Sequence, residues 1–508
     1  MVVLNVVGEK MKDPIKVYDA RWEVNEFNDK EVERLFEAAL AYAMLCDIDT
    51  ITLTRDARLG CARIMEIGMN TALRLGFRVF ICTDSISTPL SYFTTLKTTL
   101  NFPGTMGLTI TASHNPMQYI GIKFTMPTVQ AIGLDCGPLG GLTKIKEIYH
   151  SNQKFNDIAN GELYLMDHPT GEYINFSMKA ANVEKGELNG LTVVIDTLNG
   201  SAGPELFKAL SIAGAKTIPL KLVPNGYFPA GSPNPTSKSK MNQALEIANK
   251  YNADVVIGVD GDGDRIVFGD RKGILSAGFV TIPILKTLLA GQKFSQHPKI
   301  LYDPKVNPLA LAEWRELNVT PILFRNGHSQ IKNYMRKILA LAAAEESGHY
   351  YHKIEMGNLE IAGENSLLTI LLFLAAVKNQ PNLMRELREK ENQVFTTGEF
   401  NYQFSSDNIR DDAMNAVIEN FKVDGADIRT ETDDGIDLQG VCVNKGVNLE
   451  VGNESLEKKW YSGYFRIATN EKGVVRSYLS TGDFLFGKEL EKQARNILQD
   501  KFHGKVID

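Results

Sequence analysis

Short apolar runs alternate with longer amphipathic stretches through the first three quarters of the chain. The apolar runs at residues 51–54, 79–82, 192–196, 254–258 and 299–303 are typical of strands buried on both faces. Stretches with helical spacing lie between them, at 31–45, 62–75 and 241–250. Buried strands that alternate with helices indicate βαβ units and mostly parallel sheets.

This strand-helix alternation restarts three times, near residues 51, 192 and 299, whereas the last part of the chain has a different pattern. Residues 400–404, 441–443 and 464–468 have strand character, and 488–501 is predicted as a closing helix. The pattern predicts three α/β domains followed by a small antiparallel α+β domain. The predicted domain ranges are 1–165, 166–277, 278–392 and 393–508.

Composition narrows the class of protein. The 508 residues are 44% hydrophobic and 23% charged, with a net charge of −6 and no block of Lys or Arg, which argues against a nucleic-acid or membrane partner. The longest apolar run, 366–377, is too short to span a bilayer, and no signal-peptide pattern opens the sequence. The five scattered cysteines are typical of reduced thiols. We expect a soluble, cytoplasmic protein.

The densest acidic segment is Asp260-Gly-Asp262-Gly-Asp264-Arg265, directly after a predicted buried strand. Open α/β sheets bind ligands at the carboxyl ends of strands, and alternating carboxylates on a loop can converge on one hard cation. An EF-hand is excluded because its sixth and twelfth positions are Arg265 and Arg271. The segment therefore indicates an Mg²⁺ site suited to phosphoryl chemistry; the alternative is a solvated acidic turn.

A candidate nucleophile lies in Thr111-Ala-Ser113-His114-Asn115-Pro116, after the predicted strand 106–110. Small residues before Ser113 and Asn-Pro after it favour a tight turn that exposes the hydroxyl, although a serine needs a base or a metal to become reactive. No G-x-S-x-G surrounds it, which disfavours an α/β-hydrolase triad. An incidental serine in an Asn-Pro turn is the alternative.

A third segment, Glu345-Glu-Ser347-Gly-His349, places a carboxylate and a hydroxyl side by side on a loop that contains glycine. Such a pair can hold two adjacent sugar hydroxyls, and a solvated loop is the alternative. The similar sequence at 363–366 opens an apolar run and is interpreted as a helix N-terminus. Four basic residues are candidates for phosphate contacts or, equally, for solvated surface positions: Arg21, Arg55, Arg58 and Lys305.

Taken in order, these segments resemble the α-D-phosphohexomutase family, which includes phosphomannomutases and phosphoglucomutases. The match covers most of residues 15–375 and runs through 18–21, 111–123, 260–265, 327–332 and 345–349. The resemblance implies three related α/β domains with mixed, mostly parallel sheets, and a small C-terminal α+β domain, around a central cleft.

The resemblance also implies roles for individual residues. Ser113 would carry the phosphoryl group, and Asp260, Asp262 and Asp264 would hold Mg²⁺ with a phosphoserine oxygen of Ser113 as the remaining protein ligand. The residues around the transferring phosphoryl group, or in proton transfer, would be Arg21, His114, Lys123, Arg265, His328 and His349. The residues that bind substrate would be Tyr18, Lys305, Glu345, Ser347, Arg466, Thr469 and Asn470.

The sequence departs from the family pattern at its C-terminal phosphate loop. That loop usually reads Arg-x-Ser-(Gly/Asn)-Thr-Glu-Pro with a second Arg after it. Here the segment from Arg466 to Arg476 has Ala468 at the serine position, lacks the proline and spaces the second arginine irregularly. Near the other end, Trp22 replaces the glycine that usually follows Arg21.

The implied reaction interconverts hexose 1-phosphate and hexose 6-phosphate through a phosphoserine and a hexose 1,6-bisphosphate, which also serves as activator. Residues 345–349 resemble the mannose and glucose branch, so hexose phosphates are the expected partners of a monomer or homodimer. The alternatives are phosphoglucosamine-mutase-like specificity, an Mg²⁺-dependent sugar phosphatase, and a non-catalytic protein that binds sugar phosphates.

Overall fold

The computed structural model describes residues 13–151, 153, 155–157, 161–167, 169–290, 294, 296–448, 455–468 and 472–507. Within these residues the chain forms four β-sheets, one after another along the sequence. Three of the sheets are mixed and are covered by helices, and the fourth is antiparallel. The predicted fold class, three α/β units followed by an α+β unit, is confirmed.

The first sheet has seven strands. They are β1 (Ala20–Glu23), β2 (Thr50–Arg55), β3 (Arg78–Ser85), β4 (Thr105–Ile110), β5 (Tyr119–Met126), β6 (Gln130–Ala131) and β7 (Glu162–Leu165). Its helices are α1 (Asp29–Leu45), α2 (Cys61–Arg74), α3 (Thr88–Asn101) and α4 (Leu142–His150). Asn28 begins α1 with a capping box, because its side chain accepts from the Glu31 amide while the Glu31 carboxylate accepts from the Asn28 amide.

The second and third sheets have five strands each. They are β8 (Thr192–Asp196), β9 (Lys216–Leu220), β10 (Val255–Val259), β11 (Ile266–Asp270) and β12 (Gly273–Ile274), and then β13 (Lys299–Tyr302), β14 (Thr320–Leu323), β15 (Ala342–Ala344), β16 (Tyr350–Met356) and β17 (Leu359–Glu364). The helices are α5 (Thr170–Ala180), α6 (Gly203–Ala213), α7 (Asn242–Tyr251), α8 (Ala277–Leu289), α9 (Pro308–Arg315), α10 (His328–Ile338), α11 (Ser366–Asn379) and α12 (Leu383–Glu391).

The three sheets share one core topology. In each, one strand (β2, β8 or β13) is central and parallel to both neighbours. These neighbours are the next two strands along the chain, one on each side. The strand that follows is antiparallel to the second of these neighbours, as β5 is to β4, β11 to β10 and β16 to β15. The three restarts of the sequence pattern therefore correspond to three units of the same topology.

The fourth sheet contains β18 (Phe395–Thr396), β19 (Phe400–Gln403), β20 (Asp427–Glu431), β21 (Asp437–Asn448), β22 (Ser455–Ile467), β23 (Val474–Thr481) and β24 (Lys505–Ile507), with α13 (Asp407–Val423) and α14 (Phe484–Arg495). All of its strand pairs are antiparallel. The closing helix begins at Phe484 rather than at 488, because the Asp483 side chain accepts from the Phe486 amide and starts the helix there.

Buried apolar side chains of the second and third sheets form one continuous core, to which α8 and α11 contribute most of their residues. In the described part of the chain, no single helix is long and apolar enough to cross a membrane. One pair, α11 with α12, reaches the required length and composition only when taken together, with a bend of 107° between the two helices.

Candidate active site

Topologically equivalent strands carry the three predicted loops. β4 leads into the Ser113 turn, β10 into the aspartate loop and β15 into the turn at Glu345. These carboxyl ends meet between the sheets: Ser113 Oγ lies 3.3 Å from Asp260 Oδ2, and the backbones of Arg265 and His349 form an isolated antiparallel bridge. The structure therefore brings the three sequence motifs into a single site.

Ser113 lies in a turn with an unusual backbone. Its φ angle is +52°, a left-handed conformation that non-glycine residues seldom adopt, and its side chain is nearly fully buried. The Ser113 amide donates to Thr111 Oγ1 at 2.9 Å, and Ser113 Oγ lies 3.3 Å from His114 Nδ1. The strained turn aims the hydroxyl at the aspartate loop, and strain of this kind is concentrated at functional sites.

Arg58 stabilises this turn through hydrogen bonds to its backbone. Its buried guanidinium donates to the carbonyl oxygens of Ser113 and Asn115, and also to those of Pro116 (2.9 Å) and Tyr119 (3.2 Å). An ion pair with Asp56, 3.2 Å long, fixes the guanidinium in turn. Arg58 was a candidate for phosphate contacts in the sequence, but its donors are directed at the backbone of the serine turn.

The aspartate loop presents three fully buried carboxylates whose oxygens lie within 4.8 Å of one another. Asp260 Oδ1 accepts from the amides of Gly263 and Arg265, which folds the loop back on itself. Burial, together with the two neighbouring carboxylates, raises the pKa of Asp260 well above its usual range. Among the residues that the structure describes, Asp262 Oδ1 and Asp264 Oδ1 have no hydrogen-bond partner.

A lysine and a threonine of the first α/β unit hold the other carboxylate oxygens. Lys123 Nζ donates to Asp262 Oδ2 at 2.7 Å and to Asp264 Oδ2 at 2.6 Å, and Thr88 Oγ1 donates to Asp262 Oδ2 at 2.7 Å. Although burial opposes its charge, Asp262 and Asp264 raise the pKa of Lys123 well above the usual range. The loop is therefore pinned by β5 and by the N-terminus of α3.

His349 lies against the aspartate loop with its ring buried. Arg265 Nε donates to His349 Nε2 at 3.0 Å, while Nδ1 has no hydrogen-bond partner within the described part of the chain. The ring stacks on Tyr351 at a centroid distance of 5.8 Å. Burial lowers the pKa of His349 well below its usual range, and the Arg265 guanidinium adds to the effect. Because Arg265 Nε can only donate, the Nε2 atom that faces it must accept through its lone pair, which is the arrangement of a neutral imidazole.

His328 and Arg21 are two further residues that the sequence predicts for the site. His328 is the first residue of the helix, its Nε2 is buried without a hydrogen-bond partner, and its ring lies 5.9 Å from that of Tyr18. Burial lowers the pKa of His328 well below its usual range. Arg21 pairs with Asp19 at 2.7 Å and donates to Asn115 Oδ1 at 3.0 Å, next to the serine turn.

The turn between β15 and β16 holds Glu345 and Ser347 as predicted. Glu345 Oε2 accepts from Tyr351 Oη at 2.6 Å and Oε1 from Asn326 Nδ2 at 3.1 Å. Ser347 Oγ has no hydrogen-bond partner in the residues described by the structure. Burial raises the pKa of Glu345. The adjacent Glu346 has a different task, since its carboxylate accepts from the first two amides of α8 and caps that helix.

At one end of the neighbouring strands β22 and β23 in the fourth sheet, a small pocket gathers Lys305, Arg466 and Arg476 around Glu399. Lys305 Nζ donates to Glu399 Oε1 at 2.8 Å, and Arg476 Nη1 lies 3.4 Å from Oε2. The Lys305 ammonium is the main cause that lowers the pKa of Glu399 to about 2. Three cations thus converge on one anion here; the predicted residues Thr469 and Asn470 lie outside the described residues.

Sequence reasoning missed Glu364. The segment 363–366 does begin a helix, as predicted, since the Asn365 side chain accepts from the Leu368 amide at the start of α11. The Glu364 side chain, however, is buried in the site, where Oε2 accepts from Lys332 Nζ at 3.0 Å. One signal was available: an acidic residue at the end of an apolar strand needs a buried partner.

The comparisons with known proteins agree with this geometry. Residues 13–135, 171–273 and 280–395 match the family models described as phosphoglucomutase/phosphomannomutase, alpha/beta/alpha domains I, II and III, respectively. Curated relatives include phosphohexose mutases of Xanthomonas campestris pv. campestris (28% identical, covering 79% of this chain and 84% of theirs) and a phosphomannomutase of Escherichia coli (29% identical, 66% and 72%).

Solved structures with a similar fold come from the same group of proteins. A phosphoglucomutase/phosphomannomutase family protein from Burkholderia thailandensis superposes with a TM-score of 0.79 at 20% identity, covering 98% of this chain and 100% of that one. The open form of the phosphoglucomutase parafusin from Paramecium gives a TM-score of 0.72 at 15% identity, covering 96% and 94%.

Three mixed α/β units of one topology, whose motif loops meet in one site, match the three domain models of one enzyme family. The chain belongs to the α-D-phosphohexomutase family and is a phosphohexomutase, an isomerase of hexose phosphates.

Proposed function

We propose that the protein interconverts hexose 1-phosphate and hexose 6-phosphate, of mannose, glucose or both, through a phosphoserine at Ser113 and a hexose 1,6-bisphosphate intermediate. The observation that carries this proposal is the contact of Ser113 Oγ with Asp260 Oδ2 beside two unpartnered carboxylate oxygens. A buried hydroxyl next to an anionic cluster has little structural use, whereas a phosphoserine there needs a bound cation to balance its charge.

The residues present fit Mg²⁺. Carboxylate oxygens are the ligands that this ion prefers, and Asp262 Oδ1 and Asp264 Oδ1 are buried, close together and without hydrogen bonds. We infer that Asp260, Asp262 and Asp264 hold the ion, with Ser113 as the remaining protein ligand. When bound, Mg²⁺ supplies Lewis-acid stabilisation of the negative charge on the phosphoryl group.

In the first transfer, the free hydroxyl of the sugar attacks the phosphoryl group on Ser113. The new sugar O–P bond forms as the Ser113 Oγ–P bond breaks, Oγ keeps the bonding electron pair and takes up a proton, and the hydroxyl proton passes to a base. Arg21 and Lys123 place positive charge beside the serine turn and the aspartate loop during this step.

His349 is the best candidate for the base. A base needs a lone pair, and the Lys123 ammonium already directs its protons at Asp262 and Asp264. His349 offers the lone pair of Nε2, which Arg265 covers at 3.0 Å in this structure. Movement of Arg265 onto a substrate phosphate would uncover Nε2 at the moment when the phosphate is bound.

The second transfer returns the other phosphate to Ser113 after the sugar has turned end over end. Both orientations must be held at the same sugar hydroxyls, and Glu345 with Ser347 supplies an acceptor and a donor for such a pair. Glu345 is already oriented by Tyr351 and Asn326, while Ser347 Oγ is free to meet a hydroxyl.

The remote phosphate would bind in the pocket of Lys305, Arg466 and Arg476. Binding energy at the non-reacting phosphate orients the reacting hydroxyl, so Arg466→Ala should lower kcat/KM by about one to two orders of magnitude, as expected for one charge-assisted contact. Lys472→Ala is the matched control, because Lys472 is exposed at the same end of the sheet. If neither substitution changes kcat/KM in an active mutase, the remote phosphate binds elsewhere.

A panel of hexose 1-phosphates tests the substrate class. We expect turnover of mannose 1-phosphate and glucose 1-phosphate in coupled assays with Mg²⁺ and a trace of hexose 1,6-bisphosphate, and much weaker turnover of glucosamine 1-phosphate and N-acetylglucosamine 1-phosphate. The curated relatives named phosphomannomutase support this order. A clear preference for an amino sugar would overturn it, and net release of phosphate to water would favour a phosphatase.

A further inference from the structure

Three buried polar atoms without partners converge beside the aspartate loop. They are Asp264 Oδ1, His349 Nδ1 and Glu364 Oε1. His349 Nδ1 lies 3.9 Å from Asp264 Oδ1 and 3.8 Å from Glu364 Oε1. Buried polar atoms are rarely left without partners, so this convergence calls for a physical explanation.

A second metal ion does not explain it. The Nε atom of Arg265 is always protonated, so it can only donate, and its hydrogen points at His349 Nε2. His349 Nε2 must therefore accept this hydrogen bond through its lone pair. In the neutral ring the proton is then on Nδ1, the nitrogen that faces the two carboxylates. A cation between these groups would need the Nδ1 lone pair, which the proton occupies.

The arrangement instead joins a donor to two acceptors. We propose that Glu364 is a positioning residue for His349: its Oε1 receives the Nδ1–H side of the ring and keeps Nε2 directed at the reacting groups. This inference rests on the proposed function, in which His349 is the base. A carboxylate that orients a catalytic imidazole in this way is a recurring device of enzymes.

Glu364 is itself held firmly enough for this task. Its Oε2 accepts from Lys332 Nζ at 3.0 Å, and Lys332 also donates to Tyr92 Oη at 3.1 Å, with its ammonium 4.5 Å from the centre of the Tyr92 ring. Asn365, the next residue, caps α11. One carboxylate oxygen is therefore fixed by Lys332, and the other is left for His349.

Asp264 is less suited to the same role. Its Oδ2 is bound by Lys123, and its Oδ1 belongs to the set of oxygens that fits Mg²⁺. If Asp264 Oδ1 holds the ion, it cannot also accept a hydrogen bond from the ring of His349. Glu364 is outside that set and has no other partner for Oε1 among the described residues.

A double-mutant cycle tests the proposal. Glu364→Gln keeps an acceptor for Lys332 but removes the charge that faces His349, so we expect kcat to fall by about 10–100-fold with KM for the hexose phosphate within about threefold. In a His349→Ala background, the same substitution should change the remaining kcat by less than about threefold. Glu360→Gln, an exposed position on the same strand β17, is the matched control.

A purely structural role would lower kcat by the same factor in both backgrounds, and that result would overturn the proposal. If Glu364→Gln fails to fold, Glu364→Asp carries the same test, because it keeps the charge for Lys332 and withdraws the oxygen from the ring. Its loss of kcat should likewise vanish in the His349→Ala background.

Binding of Mn²⁺ supplies an independent measurement. We expect one Mn²⁺ per chain, by electron paramagnetic resonance, in both the wild-type protein and Glu364→Gln. Two ions in the wild type and one in the variant would show that Glu364 is a metal ligand and would overturn the proposal. Absence of mutase activity in the wild type would instead overturn the proposed function, and this inference with it.

Discussion

Replacement of Ser113 by alanine should abolish the interconversion of hexose 1-phosphate and hexose 6-phosphate. The substitution removes the hydroxyl that faces Asp260 and is proposed to carry the phosphoryl group, while Thr111 and Arg58 still hold the backbone in place. Because no neighbouring hydroxyl occupies the same position, the loss of kcat should be at least about a thousandfold.

A coupled assay in both directions measures this effect, and thermal unfolding shows whether the variant is folded. Ser211→Ala is a suitable control, since Ser211 lies exposed on α6 and its hydroxyl bonds only within the helix. Turnover of Ser113→Ala close to that of the wild type would rule out the phosphoserine mechanism.

The second large effect is expected at the aspartate loop. Asp262→Asn removes one of three buried charges, and it leaves Lys123 and Thr88 facing a neutral amide. Loss of one charge-assisted contact should weaken the apparent affinity for Mg²⁺ by about one to two orders of magnitude. We therefore expect a large loss of activity at low Mg²⁺ that high Mg²⁺ partly restores.

Titration of activity with Mg²⁺ provides the measurement, and Asp500→Asn, at an exposed position near the C-terminus, provides the control. An unchanged dependence on Mg²⁺ in Asp262→Asn would show that this carboxylate does not bind the ion. Removal of Mg²⁺ by a chelator should inactivate the wild-type protein reversibly.

Local sequence patterns were sufficient to predict the parts of the site that lie on single loops. The aspartate loop directly follows β10, and the Ser113 turn directly follows β4, so an apolar strand and a polar turn mark each of them in the sequence. That loops of three different sheets meet in one site followed only from the resemblance to the family, because local patterns do not show how separate sheets pack. The side chains that bind these loops, such as Thr88, which donates to Asp262, could not be predicted from the sequence.

Arg58 and Glu364 show why the rest could not be predicted. Each acts through partners that are distant along the chain: the carbonyl groups of the Ser113 turn for Arg58, and Lys332 and His349 for Glu364. A basic residue next to a strand can meet solvent, phosphate or backbone, and its sequence neighbours do not distinguish these cases. Only the packing of the sheets decides between them.

The C-terminal loop and the domain boundaries remain sequence predictions. The family pattern assigns Thr469 and Asn470 to phosphate, but the structure describes the loop only up to Ala468 and from Lys472 onward. Three nearby cationic residues, Lys305, Arg466 and Arg476, nevertheless line one pocket, which supports a phosphate site in that pocket.

The phosphorylation state of Ser113 during a single turnover tests the central claim most directly. The protein is first charged with a hexose 1,6-bisphosphate, and the peptide that contains Ser113 is analysed by mass spectrometry before and after rapid mixing with hexose 6-phosphate. The proposed mechanism predicts one phosphoryl group on Ser113 before mixing, its loss on mixing, and an equal amount of new bisphosphate. Continued turnover with an unphosphorylated Ser113, or with a phosphoryl group that never leaves it, would contradict the mechanism.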